Sequence, residues 1–208
     1  MPADKPPNAG SALPDGYSDV APGKIAAVVT HLEMRARPVM RPGPARSDLA
    51  IRHVPKPDPD WYRTLFRKVG EDWLWFSRLT IEKAKLAGII QNPDVEVYAL
   101  EAAGTEAGIL ELDFRVAGEC ELTYFGVTPP LIGTGAARLL MNAALDRAWA
   151  RSIGRFWVHT CTLDHPAAPA FYMRSGFTPF RVQVEVADDP RLTGVLPRTA
   201  APQVPLVW

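Results

Sequence analysis

The run Val127-Thr128-Pro129-Pro130-Leu131-Ile132-Gly133-Thr134-Gly135-Ala136-Ala137 holds the residue types that speak most directly of chemistry. Its glycines let the backbone turn with its N–H groups pointing inward at one spot. A helical pattern follows, and the positive end of that helix adds to the converging N–H groups. The sum is an anion site suited to a pyrophosphate. A Walker loop would end in Gly-Lys-Ser/Thr, and a dinucleotide fingerprint would need Gly or Ala where Arg138 stands; neither is present. About thirty residues on, Asp164-His165-Pro166-Ala167-Ala168-Pro169-Ala170-Phe171-Tyr172-Met173-Arg174-Ser175-Gly176-Phe177 reads as a short amphipathic helix carrying a phenol. Pro166 opens it, and Gly176 closes it where a left-handed residue is wanted. Cys120 and Cys161 are too few to form a metal site by themselves, and no metal is expected.

The elements that must position these groups follow from the periodicity. Residues 24–34 are β-branched and largely apolar, a first strand. Residues 35–57 hold prolines at 38, 42, 44, 55 and 57 and read as irregular. Loops of that length either cover a site or lack order. Asp58 or Asp60 caps a helix to about residue 69, and Thr80 caps another to about 90. Between them the cluster Trp73-Leu74-Trp75-Phe76 walls a pocket or fills a core. Strands over 94–101, 106–115 and 119–127 form a meander with turns at 103–105 and 117–118. Then come a helix over 135–150, a strand over 156–161, the short helix, and a last strand over 177–186. The fold class is α/β (α+β): a mixed, mostly antiparallel central sheet with helices on both faces. The chain divides into a flexible tail, 1–22, one domain, 23–187, and an irregular C-terminal extension, 188–208.

The 23 basic residues balance the 23 acidic ones, so no global field draws the protein to nucleic acid or an anionic membrane. No apolar run approaches the roughly 20 residues needed to cross a bilayer. The N-terminus has no basic start followed by an apolar stretch, which argues against a signal peptide. Two cysteines are a sparse framework for a secreted protein, and a cytoplasmic location with reduced thiols follows.

A glycine anion loop, a helix, a strand and an Ala-x-x-x-Tyr-x-x-x-Gly-Phe helix in that order resemble the GNAT superfamily of N-acetyltransferases. The resemblance covers about residues 95–180, with 23–94 matching by element order. Val127 and Pro129 match the family's Val-x-Pro strand end. Gly135 and Ala137 take the Gly and Gly/Ala places of its Arg/Gln-x-x-Gly-x-Gly/Ala loop, while Ile132 stands in the Arg/Gln place. Ala168, Tyr172, Gly176 and Phe177 match the later helix, with His165 where Asn is usual.

The resemblance implies a GNAT-like acyl-CoA acyltransferase fold and acetyl-CoA as co-substrate. Its contacts would be Phe125, Gly126, Val127, Ile132, Gly133, Thr134, Gly135, Ala136 and Ala137, joined by His165, Ala168 and Phe171. Tyr172 would be the acid on the leaving sulfur. Glu121 resembles the catalytic glutamate of the family's histone-modifying members and would be the base, with Glu111 and His159 as rivals. The N–H of Val127, at a bulge around Phe125-Gly126, would meet the developing oxyanion. The acceptor would be a small-molecule or peptide amine, with Arg78 suited to a carboxylate on it. A homodimer is left open. Two competing readings are a catalytically silent acyl-CoA sensor on the same fold and an unrelated nucleotide-binding domain.

Overall fold

The computed structural model describes residues 12–44 and 46–208. Of the expected tail, residues 1–11 lie outside the described residues, and 12–22 form no helix or strand and are exposed. Strand β1 (Lys24–Met34) and the short β2 (Leu49–His53) precede helices α1 (Pro59–Gly70), α2 (Ser77–Thr80) and α3 (Lys83–Ile90). The meander β3 (Val95–Ala102), β4 (Thr105–Asp113) and β5 (Glu119–Val127) follows. Then come α4 (Ala136–Ala150), β6 (Arg155–Cys161), α5 (Ala168–Arg174) and β7 (Thr178–Asp188).

Local chemistry accounts for the boundaries. Asp58 caps α1, its Oδ1 accepting from the N–H groups of Asp60 at 2.9 Å and Trp61 at 3.1 Å. Pro59 follows at the first helical position, where a missing N–H costs nothing. Ala103 and Gly104 both take positive φ, 48° and 77°, in the tight β3–β4 turn. The helix expected to be capped by Thr80 starts later, at Lys83 after Glu82; Thr80 instead ends the short α2, which was not expected, and Ile81 between them is extended. Strand β2 lies inside the stretch expected to be irregular. Its exposed edge position leaves only Leu49 buried, too faint an alternation to read as a strand.

The seven strands form one sheet in the order β2-β3-β4-β5-β6-β1-β7. All neighbours are antiparallel except β5 and β6. On one side α4 and α5 bury Leu140, Met141, Ala144, Leu145, Ala148 and Tyr172 against Leu32, Leu110, Leu122, Phe156 and Val158. On the other, α1 and α3 bury Tyr62, Phe66, Leu86 and Ile90 against Val97, Ala99 and Ile109. Each fully buried leucine or phenylalanine contributes about 1.5–3 kcal/mol, so the two layers hold the sheet rigid under any site it carries. The C-terminal extension is irregular and tied down: Arg191 pairs with Asp189 at 2.7 Å and donates to the carbonyl of Val204 at 2.8 Å.

Candidate active site

Strands β5 and β6 are parallel and paired only at Glu119↔Arg155, Cys120↔Phe156 and Glu121↔Trp157. Beyond these pairs they separate, and the C-terminal half of β5 loses its neighbour on that side. The Thr128 N–H bonds to Ala107 O at 2.9 Å, which makes 107/128 a hydrogen-bonded pair of the β4–β5 ladder. By the alternation of an antiparallel pair, Phe125 and Val127 turn their N–H groups away from β4 and into the opening. A bulge is present, but earlier than expected. Glu111 pairs with Tyr124 and Leu112 with Leu122, so Thr123, not Phe125-Gly126, is the extra residue. The Thr123 hydroxyl is buried with no partner.

At the end of β5 the loop turns as its glycines require, Gly133 at φ 78° and Gly135 at φ 88°. The N–H groups of Gly133, Gly135, Ala136 and Ala137 find no acceptor among the described residues, as expected of donors at the start of a helix. Ile132 is over a third exposed and offers no charge. The positive charge comes from elsewhere. Residues 35–44 and 46–48 cross over this end of α4: Pro44 rests on Gly135, where a Cβ would meet it at 2.5 Å, and Arg46 donates to Thr134 O at 3.2 Å. Asn142 donates to Arg41 O at 2.8 Å, and Arg41 donates to Arg174 O at 3.4 Å.

Three guanidiniums, Arg41, Arg138 and Arg174, therefore gather between α4, α5 and this strap, and among the described residues no carboxylate is bonded to any of them. Burial first, then the charges of Arg41 and Arg174, pull the Arg138 guanidinium below the ordinary arginine value. Arg138 stacks on the Phe171 ring at 4.6 Å, and its Nη1 is buried without a partner. Crowded like charges and an orphaned donor beside a ring of free N–H groups fit an anion of several charges.

Helix α5 borders the same region. Phe171 stacks on Phe125 at 5.7 Å between centroids, and Tyr172 meets Phe125 edge-on at 6.2 Å. The Tyr172 hydroxyl has no hydrogen-bond partner among the described residues. Burial first, then the Asp164 charge, raises its pKa well above the ordinary phenol. His165 accepts from the Ala167 N–H at Nδ1, 3.1 Å away, and its Nε2 has no hydrogen-bond partner among the described residues. Ala168 donates its N–H to His165 O at 2.8 Å and opens the helix.

The other side of the sheet faces a second set of groups. Cys120 and Leu122 are buried on the α4 side, so Glu121 between them points to the α1 side. Val158 is likewise on the α4 side, and His159 joins Glu121. Glu121 Oε1 stands 3.6 Å from His159 Nδ1, the two side chains 18% and 45% exposed. Burial disfavours the charged imidazole, but Glu121, with help from Asp164 and Glu185, outweighs it and raises the His159 pKa. His31 faces His159 across the β1–β6 register, 5.7 Å between rings. Burial, then the charge on His159, lowers its pKa.

Glu111 is placed differently. It is wholly buried, accepts from the Tyr62 hydroxyl, and pairs with buried Arg78 at 2.5 Å. Arg78 in turn lies over the Tyr124 ring at 5.1 Å, whose hydroxyl bonds to Ser77. Both oxygens of Glu111 are occupied; Arg78 holds one of them through Nη2, while its Nε is buried without a partner among the described residues. Trp75, from the aromatic cluster, lies across Gly126 and Gly70. A Cβ at Gly70 would come within 2.5 Å of the ring, and one at Gly126 within 3.3 Å. Its Nε1 donates to Asp164 Oδ1 at 3.1 Å, while Asp164 Oδ2 accepts from Thr160 Oγ1 and the Cys161 N–H.

The Acetyltransferase (GNAT) family model matches residues 58–177, more than half of the chain. The chain belongs to the GNAT acetyltransferase family. No curated sequence matches it significantly. Among solved structures, this GNAT protein is similar to the GCN5-related N-acetyltransferase from Sphaerobacter thermophilus, at 16% identity and TM-score 0.53, over 81% of this chain and 53% of that one. It is similar to an aminoglycoside acetyltransferase from an uncultured soil metagenomic sample, at 15% identity and TM-score 0.51, over 62% and 88%. It is also similar to the IAA acetyltransferase from Bacillus cereus ATCC 14579, at 19% and 0.50, over 64% and 79%. At such identities the likeness is one of fold, and the chain spans only about half of the Sphaerobacter protein.

Against that fold, the seven-stranded mixed sheet with helices on both faces is the one expected from the motifs. The strap residues Arg41, Pro44 and Arg46 went unread because proline-rich basic sequence carries no periodicity. Arg138 and Arg174 sat in plain view inside the two motifs, but as helix-surface charges they gave no sign of meeting. Asp164 was the first residue of a motif whose later positions drew the attention.

Proposed function

We propose that this GNAT protein transfers an acetyl group from acetyl-CoA to a primary amine by direct attack. The observation that carries the reading is the opening between β5 and β6, with the two candidate proton groups on its opposite sides. Tyr172 comes from α5 on the α4 side, beside the anion loop, and Glu121–His159 faces the α1 side. A donor held on one side would thus meet an acceptor arriving from the other.

The pyrophosphate would rest on the N–H groups of Gly133, Gly135, Ala136 and Ala137. Arg138, Arg41 and Arg174 would supply the charge that Ile132 does not. Pantetheine would run past His165, Ala168 and Phe171 toward the opening, with Phe125 and Gly126 lining it. The Val127 N–H, aimed into the gap, suits a developing oxyanion. A protonated amine, with a pKa near 10.4, must lose a proton before it attacks. Glu121 is placed to accept it, and half-exposed His159 to pass it to solvent.

The buried Tyr172 phenol stays protonated throughout the working pH range and gives its proton to the departing sulfur less readily than an ordinary phenol would. The Arg78 charge is balanced by buried Glu111, so no acceptor carboxylate is invoked for it; the acceptor class stays a small-molecule or peptide amine. Two free cysteines support a cytoplasmic setting, and among the described residues no helix is long and apolar enough to cross a membrane.

Titration calorimetry tests the donor half. Acetyl-CoA should bind, and NAD and ATP should not. Arg138→Gln should weaken acetyl-CoA about tenfold, the size of one charge-assisted hydrogen bond. Gly135→Gln should abolish binding, through its positive φ and the contact with Pro44. A preference for NAD or ATP would defeat the reading.

A further inference from the structure

Strand β7 is one edge of the sheet, paired only with β1. It is eleven residues long, and its outward backbone groups have no partner among the described residues. Such an edge is a template for another strand, and proteins usually blunt it with lysine, proline or a bulge. Here Pro179 and a bulge at Phe180 blunt one end only. From Arg181 onward the strand has neither proline nor lysine. On the side of Val28 it presents Val182, Val184 and Val186, at 63%, 46% and 55% exposed. On the other side it presents Arg181, Gln183 and Glu185.

This segment is complementary to itself. Laid antiparallel on a second copy about a twofold axis through Gln183, it sets Arg181 against Glu185 and Glu185 against Arg181. Val182 then meets Val184, Val184 meets Val182, and Gln183 meets Gln183. Arg181 and Glu185 have no ion-pair partner in their own chain among the described residues. Each charge is felt by a histidine on the same face, Glu185 by His159 and Arg181 by His31, but neither is held in an ion pair that a neighbour would have to break. Directly opposed unlike charges and paired valines are the contacts that favour antiparallel strands. An interface in which each residue meets its symmetry mate closes as a dimer rather than growing a fibre.

We propose that the protein is a homodimer in which the two β7 strands pair antiparallel about Gln183, joining the sheets into one of fourteen strands. The occupant of this edge is a second copy of the chain because the strand's own charge order, basic then acidic across a central glutamine, matches its reverse. The inference does not rest on the proposed activity, since the edge lies outside the β5–β6 opening.

Sedimentation velocity of the full chain over a range of concentrations tests it. The wild type should sediment as a dimer, and Arg181→Glu or Glu185→Arg alone should shift it to monomer by opposing like charges. The double reversal, Arg181→Glu with Glu185→Arg, should restore the dimer, and thermal melts should show all three variants folded. Gln183→Cys should form an intermolecular disulfide under mild oxidation, since cross-strand partners lie about 4.5–5.5 Å apart at Cα. A wild type that stays monomeric would overturn the proposal. So would single reversals that leave the dimer intact, or a dimer in which Gln183→Cys fails to cross-link.

Discussion

Replacing Glu121 with Gln preserves the shape of the side chain and removes its charge, which makes two numbers move together. The first is the His159 pKa. Unit charges 3.6 Å apart attract by about 1 kcal/mol in water-like dielectric and about 5 at an effective constant of about 20. With nearly half of the imidazole exposed, the lower figure governs. The attraction lost on neutralising Glu121 is therefore about 1 kcal/mol. His159 now titrates above its ordinary value. In Glu121→Gln it should fall, read from the His159 ring proton by NMR. The second number is turnover, which should drop about 10²–10⁴-fold, the usual size of a general-base contribution. Acetyl-CoA affinity should hold, because Glu121 lies across the sheet from the arginine cluster. The sign of the pH profile is also fixed. Activity of the parent needs the pair free to take a proton, so the acidic limb of kcat/KM lies near the raised His159 pKa. In the variant any residual activity should persist to lower pH. A His159 titration that does not move would dissolve the pair, and a turnover loss under tenfold would remove Glu121 as the base.

Two further outcomes follow from the same structure. Glu111→Ala or Arg78→Ala strands a buried charge and should cost about 3–5 kcal/mol, roughly 6–20 °C in Tm, in a thermal melt. If instead Glu111→Gln keeps full stability and loses only turnover, the carboxylate has a chemical role that its buried ion pair conceals. Tyr172→Phe removes a hydroxyl without a partner and should melt within about ±0.5 kcal/mol of the parent. Its turnover should fall while acetyl-CoA binding holds, and the defect should shrink with acyl donors whose leaving thiol is more acidic. A Phe variant with full turnover would leave Tyr172 as packing.

The sequence carries the core elements plainly because their periods are strong. The meander, the glycine loop and α4 all fall within a few residues of where alternation and helical spacing put them. Strand β2 escaped because an exposed edge strand of five residues has almost no buried face to alternate with. Helix α2 escaped because four residues are too few to show a helical period. The bulge was expected for a sound reason, re-aiming backbone at a site, yet its position depends on the pairing of β4 with β5, which no local pattern encodes. At the site, side chains on one element were legible and meetings between elements were not. Glu121 and His159 are 38 residues apart and come together only because β5 and β6 pair at their starts. Arg41 reaches α5 through a strap with no period at all. Glu111 reads in the sequence as a rival base, and only the helices over it supply the Arg78 and Tyr62 that occupy both its oxygens.

Thiol release from acetyl-CoA in the presence of a panel of primary amines tests the central claim most directly, with the product's mass read alongside. Transfer by direct attack predicts release that depends on one class of amine, an N-acetylated product in equal amount, and loss of both in Glu121→Gln. Protein that binds acetyl-CoA yet releases no thiol with any amine would contradict it and leave an acyl-CoA-binding sensor on the same fold.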